Sequence, residues 1–165
     1  MRASSVPRLV DVRRYPVSRR HPQFAQEALA RMLEGAGIEY RHEPGLGGHR
    51  QPRADSPNAA WRNAAFRGYA DHMGTPEFEE ALERLRAAPP GTAVMCAEAV
   101  PWRCHRQLIA DALAARGVAV RHILGPGRVE PHALHAAARV GEDGRLTYPR
   151  PPGRQRPLFA GDADH

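Results

Sequence analysis

Apolar positions recur along this chain with two different periods, and their alternation predicts the architecture. Arg8–Val12 reads as a short β-branched strand that runs straight into Arg13–Pro22, the densest basic segment of the sequence. A helix follows in which Ala25, Ala28, Leu29, Met32 and Leu33 share one face, and Gly35 and Gly37 stop it. Ile38–His42 is then a second strand. The β-α-β order asks for a right-handed crossover and parallel strands.

The segment from Glu43 to Ala60 carries Gly45, Gly47, Gly48 and three prolines, so it is expected as a long loop around Leu46-Gly47-Gly48-His49-Arg50. Loops of this length in compact domains are usually functional or mobile. From Trp61 to His72 the spacing of Trp61, Ala65, Phe66 and Tyr69 suits a helix that packs rather than one that stacks on bases. Thr75-Pro76-Glu77 is a helix start, and Phe78, Ala81, Leu82 and Leu85 form the buried face behind it.

Gly91–Met95 reads as a buried strand, and Gln107–Arg116 as a helix with Leu108, Ile109, Ala112 and Leu113 on one face. Val118–Leu124 is expected as a final core strand, followed by a small hairpin around Gly141–Gly144 and fraying after Tyr148. The pattern predicts an α/β fold, a three-layer sandwich with a mostly parallel central sheet. One domain is expected over residues 1–149, with a flexible Pro/Gly-rich tail over 150–165.

Composition narrows the setting. The chain has 165 residues, enough for one core, and no apolar run approaches the ~20 residues of a membrane span. With no apolar signal core at the start, a cytoplasmic protein without a membrane partner is expected. The net charge is +6, yet all 24 basic residues are Arg and none is Lys. Codon bias explains that as readily as a nucleic-acid partner does, so the placement of the arginines matters more than their number. Two cysteines in such a setting are expected as reduced thiols.

The placement singles out Met95–Arg106, where two thiols, a carboxylate, an imidazole and two guanidiniums fall between a strand and a helix. In open α/β sheets such turns lie at the carboxyl edge, where ligands bind and free helix N–H groups favour anions. Arg13, Ser18, Arg19, Arg20, Cys96, Arg103 and Arg106 are the candidate ligand-binding residues, with Arg19 and Arg106 expected to converge. The bland alternative pairs Arg13 and Arg106 with Asp11 and Glu98 as a structural ion network.

Glu98, Cys104 and His105 are the candidate catalytic residues. Cys104, at a helix start beside His and Arg, is better placed for a lowered pKa than Cys96, which reads as an inert strand residue. Glu98 and His105 are the natural proton carriers. A phosphatase-like loop would need five residues between Cys and Arg, whereas six separate Cys96 from Arg103. No metal is expected, because the seven residues between Cys96 and Cys104 exceed usual zinc spacing and arginines surround them.

Ordered landmarks carry a resemblance. They are Leu9-Val10-Asp11-Val12-Arg13, Pro16-Val17-Ser18-Arg19-Arg20, Gly37-Ile38-Glu39-Tyr40, Leu46-Gly47-Gly48, Gly68-Tyr69-Ala70 and Met95-Cys96-Ala97-Glu98. Cys104-His105-Arg106, Arg121-His122-Ile123 and Leu146-Thr147-Tyr148-Pro149 complete the set. From about Leu9 to Tyr148 the chain resembles the bacterial and archaeal domain-of-unknown-function 488 family, and Pro101-Trp102-Arg103 resembles the insertion of one recurrent branch. The resemblance implies an α/β fold and brings no reaction, ligand or cofactor with it. It also implies an upstream strand and helix opening with a Thr-Ile-Gly type segment. Only eight residues precede Leu9, so that N-terminal strand is expected to be missing here.

The functional expectation is a cleft that binds a phosphate-bearing ligand, a nucleotide or nucleic acid, with hydrolysis as one outcome. The alternatives are a thiol-dependent or metal-binding enzyme, or a non-catalytic interaction protein.

Overall fold

In the computed structural model, which describes residues 5–153, β1 (Arg8–Asp11) lies between β2 (Glu39–His42) and β3 (Ala93–Met95) in a parallel sheet ordered β2-β1-β3. Leu9 pairs with Tyr40 on one side and Ala93 on the other, and the ladder continues to Val12, whose N–H donates to the Met95 carbonyl at 2.9 Å. Side chains alternate across such a sheet. Leu9 accordingly joins Leu29, Leu33 and Ile38, with Tyr40, Ala93 and Met95 against them, under α1 (Gln26–Gly35). Val10 and Val12, with Val94 and Cys96, face α2 (Ala64–His72), α3 (Pro76–Arg86) and α4 (Arg106–Ala114) through Tyr69, Phe78, Leu82, Leu108 and Ile109. Helices therefore cover both faces, giving the three-layer α/β sandwich.

Local chemistry sets the helix starts. The Asn63 side chain accepts from the N–H groups of Ala65 and Phe66, so α2 begins after it, and Trp61 packs on Phe66 from the preceding loop with ring centroids 5.0 Å apart. Thr75 caps α3 through Phe78 N–H, with Glu77 and Glu79 in its first turn and Arg84 and Arg86 in its last, a distribution that complements the helix dipole. At the start of α4 no side chain caps the helix from His105, but the Cys104 sulfur just before it accepts from Arg106 N–H at 3.4 Å.

The segment Val118–Leu124 departs from expectation. Its strand, β4 (Arg121–Gly125), pairs antiparallel with β5 (Arg128–Pro131) outside the parallel sheet. Gly125-Pro126-Gly127, with Gly127 at φ 71°, turns the chain back at once, and a partner a few residues away costs little loop-closure entropy. Arg121 and Ile123 stay exposed, which a strand buried on both faces would not permit. The expected terminal hairpin forms as β6 (Arg139–Val140) against β7 (Leu146–Thr147).

Asp111 ties this C-terminal part to α4. Fully buried, it accepts from His132 Nε2 at 2.8 Å, His135 N–H at 3.0 Å and Tyr148 OH at 2.8 Å. Tyr148 N–H donates to Asn58 Oδ1 at 2.9 Å, and its ring is wholly buried. The core thus extends to Tyr148, and most of the tail expected to be flexible, residues 154–165, lies outside the described residues.

Candidate functional site

A cleft of about 800 Å³ opens where β1 and β3 end, walled by the Arg13–Phe24 loop, the Gly48-His49 turn and the segment from Met95 to His105. Two parallel strands deliver their following loops to this one edge, which is why residues distant in sequence meet there.

The β1 end is electrically closed. Asp11 is fully buried and accepts from Arg13 Nε and NH2, at 2.9 and 2.6 Å, and from Tyr40 OH at 2.7 Å. The Asp11 hydrogen bond raises the Arg13 pKa still further, and Arg13 NH1 donates to the Phe24 carbonyl at 2.8 Å. Arg13 lines the cleft, but its guanidinium already has its counter-ion.

The β3 end holds both thiols. Cys96 Sγ lies 3.2 Å from Cys104 Sγ, and Arg106 donates to the Cys104 sulfur through Nε at 3.1 Å as well as through its backbone N–H. Donors facing a sulfur favour its thiolate. The Cys104 pKa accordingly falls to about 6, chiefly through the Cys96 hydrogen bond and then through Arg106, against the opposing effect of burial. The Cys96 thiol is pushed up by its bond to Cys104 and by burial. Arg106 NH2 also reaches the Glu98 carbonyl at 2.5 Å, and Glu98 N–H donates to Cys96 Sγ at 3.3 Å, so the 96–106 segment closes around the two sulfurs.

His105 stands between these ends. Burial first, then the Arg106 charge, lower its pKa to about 4, so the ring is neutral, and its Nε2 donates to the Val12 carbonyl at 3.1 Å. Its Nδ1 is the unprotonated nitrogen, and a Cβ at Gly48 would lie 3.1 Å from it. Among the described residues no hydrogen bond joins His105 to Glu98 or to either thiol. The Gly-rich turn beside it is anchored by Tyr69 OH on Leu46 O and by His72 Nε2 on Gly45 O, both at 2.7 Å. His49 follows at φ 58°, a conformation uncommon outside glycine, and its carbonyl accepts from Arg14 NH1 at 2.8 Å.

Of the sequence candidates, Arg13, Ser18, Cys96, Glu98, Arg103, Cys104 and His105 line the cleft. Arg19, Arg20 and Arg106 do not. Arg19 is exposed outside the cleft wall, and Arg106 turns its guanidinium to Cys104 and the Glu98 carbonyl. The structural-network alternative holds for Arg13 with Asp11, whereas Arg106 meets Glu98 through the backbone. Sequence reasoning missed Arg14, Tyr15, His21 and His49, which also line the cleft. The signal for His49 was the Gly47-Gly48 pair before it; the others sit in the basic loop, where no spacing distinguishes one side chain from the next.

No curated protein and no solved structure matches the chain. A family model does, over residues 1–113, a span that includes β1, the Gly-rich turn, both cysteines and nearly all of α4. The chain therefore belongs to the family described as domain of unknown function DUF488.

Proposed function

We propose that this protein is a thiol-dependent enzyme that binds a phosphate-bearing ligand, a nucleotide or nucleic acid, in the cleft and acts on it from Cys104. The observation that carries this reading is the Cys104 sulfur itself, held by Cys96 and twice by Arg106 at the wall of an 800 Å³ cavity. A thiolate so poised is a nucleophile at neutral pH. Arg14, which holds the His49 carbonyl, and Arg103 both line the cleft with no carboxylate partner among the described residues, so they are the cations left for ligand charge. Tyr15, exposed at the cleft wall, offers a ring face for a base. Glu98 and the free Nδ1 of His105 are the groups able to accept or return a proton. The Arg106 guanidinium on the Cys104 sulfur speaks against a cation held by Cys96 and Cys104.

Iodoacetamide labelling at neutral pH, mapped by mass spectrometry, tests this with inorganic phosphate, nucleotides and a short single-stranded oligonucleotide as protecting probes. The expected result is preferential labelling of Cys104, slowed by at least one probe. Labelling of Cys104 no faster than an ordinary thiol, with no probe protecting, overturns the proposal. The lack of any hydrogen bond from His105 to Glu98 or a thiol favours one other reading, a binding cleft without turnover. In that case a probe protects Cys104 but is never converted, and Cys104→Ser binds it as well as wild type.

A further inference from the structure

The seven residues between Cys96 and Cys104 fold back through the 3-10 turn Pro101–Arg103 and bring the two sulfurs to 3.2 Å. A nucleophile needs a hydrogen-bond donor but not a second sulfur, and Arg106 already supplies two donors. We propose that Cys96 and Cys104 form a reversible dithiol–disulfide couple closed by a hydroperoxide that enters through the cleft, with Cys104 attacking and Cys96 resolving. This rests on the reading of Cys104 as the thiolate of the cleft.

The steps balance. The Cys104 thiolate attacks the terminal oxygen of the hydroperoxide, the O–O bond breaks, and the alkoxide or hydroxide leaves and takes a proton from solvent. Cys104 is now a sulfenic acid. The Cys96 sulfur then attacks the Cys104 sulfur, the S–O bond breaks, and the departing hydroxide takes the Cys96 proton to leave as water. Two electrons pass from the dithiol to the peroxide.

The site favours this order. Both sulfurs line the cavity, but Cys104 alone carries the Arg106 donors, so it is the sulfur that meets the oxidant as a thiolate. Cys96 is kept protonated chiefly by its bond to Cys104, and oxidation of Cys104 removes the negative sulfur that holds that proton. The resolving thiol is thereby freed only after the first step. Closure asks the sulfurs to move from 3.2 Å to the ~2.05 Å of a disulfide within one short loop. The closed form has no thiolate for Arg106 to hold, so oxidation also shuts off the chemistry of Cys104 until a dithiol reductant restores it.

The test treats the full chain with one molar equivalent of hydrogen peroxide and follows free thiols and intact mass. The expected result is loss of both thiols and of the mass of two hydrogen atoms in a monomer, reversed by dithiothreitol. In Cys96→Ser a sulfenic acid should instead persist on Cys104 and be trapped by dimedone, while Cys104→Ser should leave Cys96 unreacted. Over-oxidised Cys104 beside an alkylatable Cys96 in wild type, or disulfide-linked dimers in place of the internal bridge, overturns the inference. Preferential alkylation of Cys104 with no internal disulfide defeats this inference alone; ordinary reactivity of Cys104 defeats it together with the proposed function.

Discussion

The guanidinium of Arg13 reaches both carboxylate oxygens of Asp11, NH2 to Oδ2 at 2.6 Å and Nε to Oδ1 at 2.9 Å, with Asp11 wholly buried beneath it. A buried pair of this kind is costly to break because the remaining charge keeps its desolvation without its partner. Asp11→Ala should cost about 3–5 kcal/mol in urea unfolding, part of it from the freed Tyr40 hydroxyl. A loss below about 1 kcal/mol would show that Arg13 finds water or another acceptor in the cleft and is available for ligand.

Gly68 is where α2 meets the long loop. A Cβ built there would sit 2.2 Å from the Arg50 carbonyl oxygen, a backbone atom that cannot rotate away. Gly68→Ala should therefore separate helix from loop and cost about 1–3 kcal/mol, although alanine is the better helix former. The measurement is the midpoint of thermal or urea unfolding. An unchanged or raised midpoint would mean that the loop yields freely.

The C-terminal segment hangs on one buried acid. Removing the Tyr148 hydroxyl leaves the Asp111 oxygen Oδ2 without its donor at a site closed to water, so Tyr148→Phe should cost about 1.5–3 kcal/mol. Amide exchange should rise around Tyr148 and His135, which share Asp111 as an anchor, more than in β1. Uniform loosening across the sheet would instead point to a global effect.

Acid should weaken the fold through His105. Its folded pKa of about 4 lies below the ordinary histidine value of 6.5, so between those values the unfolded chain binds the proton that the native ring refuses. Stability is then complete above about pH 6.5 and declines as pH falls toward 4, because ∂ΔG/∂pH is positive where the unfolded state holds more protons. Burial lowers the pKa of His72 and His122 too, and they act in the same direction. His105→Gln should flatten part of the decline in melting temperature over that window. An equal slope in variant and wild type would assign the acid sensitivity to the other histidines.

Much of this fold was legible because it is local. The β-branched run at β1, the Thr75-Pro76 start of α3 and the apolar faces of α1 and α4 each announce themselves within a dozen residues. The fate of β4 was not legible, since Val118–Leu124 satisfies a core-strand pattern and only the tight Gly125–Gly127 return supplies a nearer partner. The site divides the same way. The Cys-His-Arg turn could be read as chemistry, but which guanidinium is free depends on who reaches it. Asp11 takes Arg13 from two positions away, and Arg106 turns back to the thiol two positions before it. Sequence spacing alone does not say whether an arginine faces a neighbour or an open cleft.

The sharpest discriminator for the site is the Arg106 side chain. Arg106→Gln removes the Nε donor at 3.1 Å and the positive charge but leaves the backbone N–H at 3.4 Å and the Cys96 thiol in place. The Cys104 pKa, lowered to about 6 in part by that side chain, should rise toward the ordinary thiol value, by about one unit or more. Followed by iodoacetamide over a pH series, the midpoint of reactivity should move up. The plateau at high pH should rise with it, because a more basic thiolate is intrinsically the stronger nucleophile, with a Brønsted slope of about 0.4–0.5. At neutral pH the two effects oppose each other, so a single rate there would mislead. A midpoint that stays near 6 in the variant would show that Cys96 and the α4 backbone suffice to hold the thiolate, and Arg106 would then be needed only to clasp the Glu98 carbonyl and close the loop.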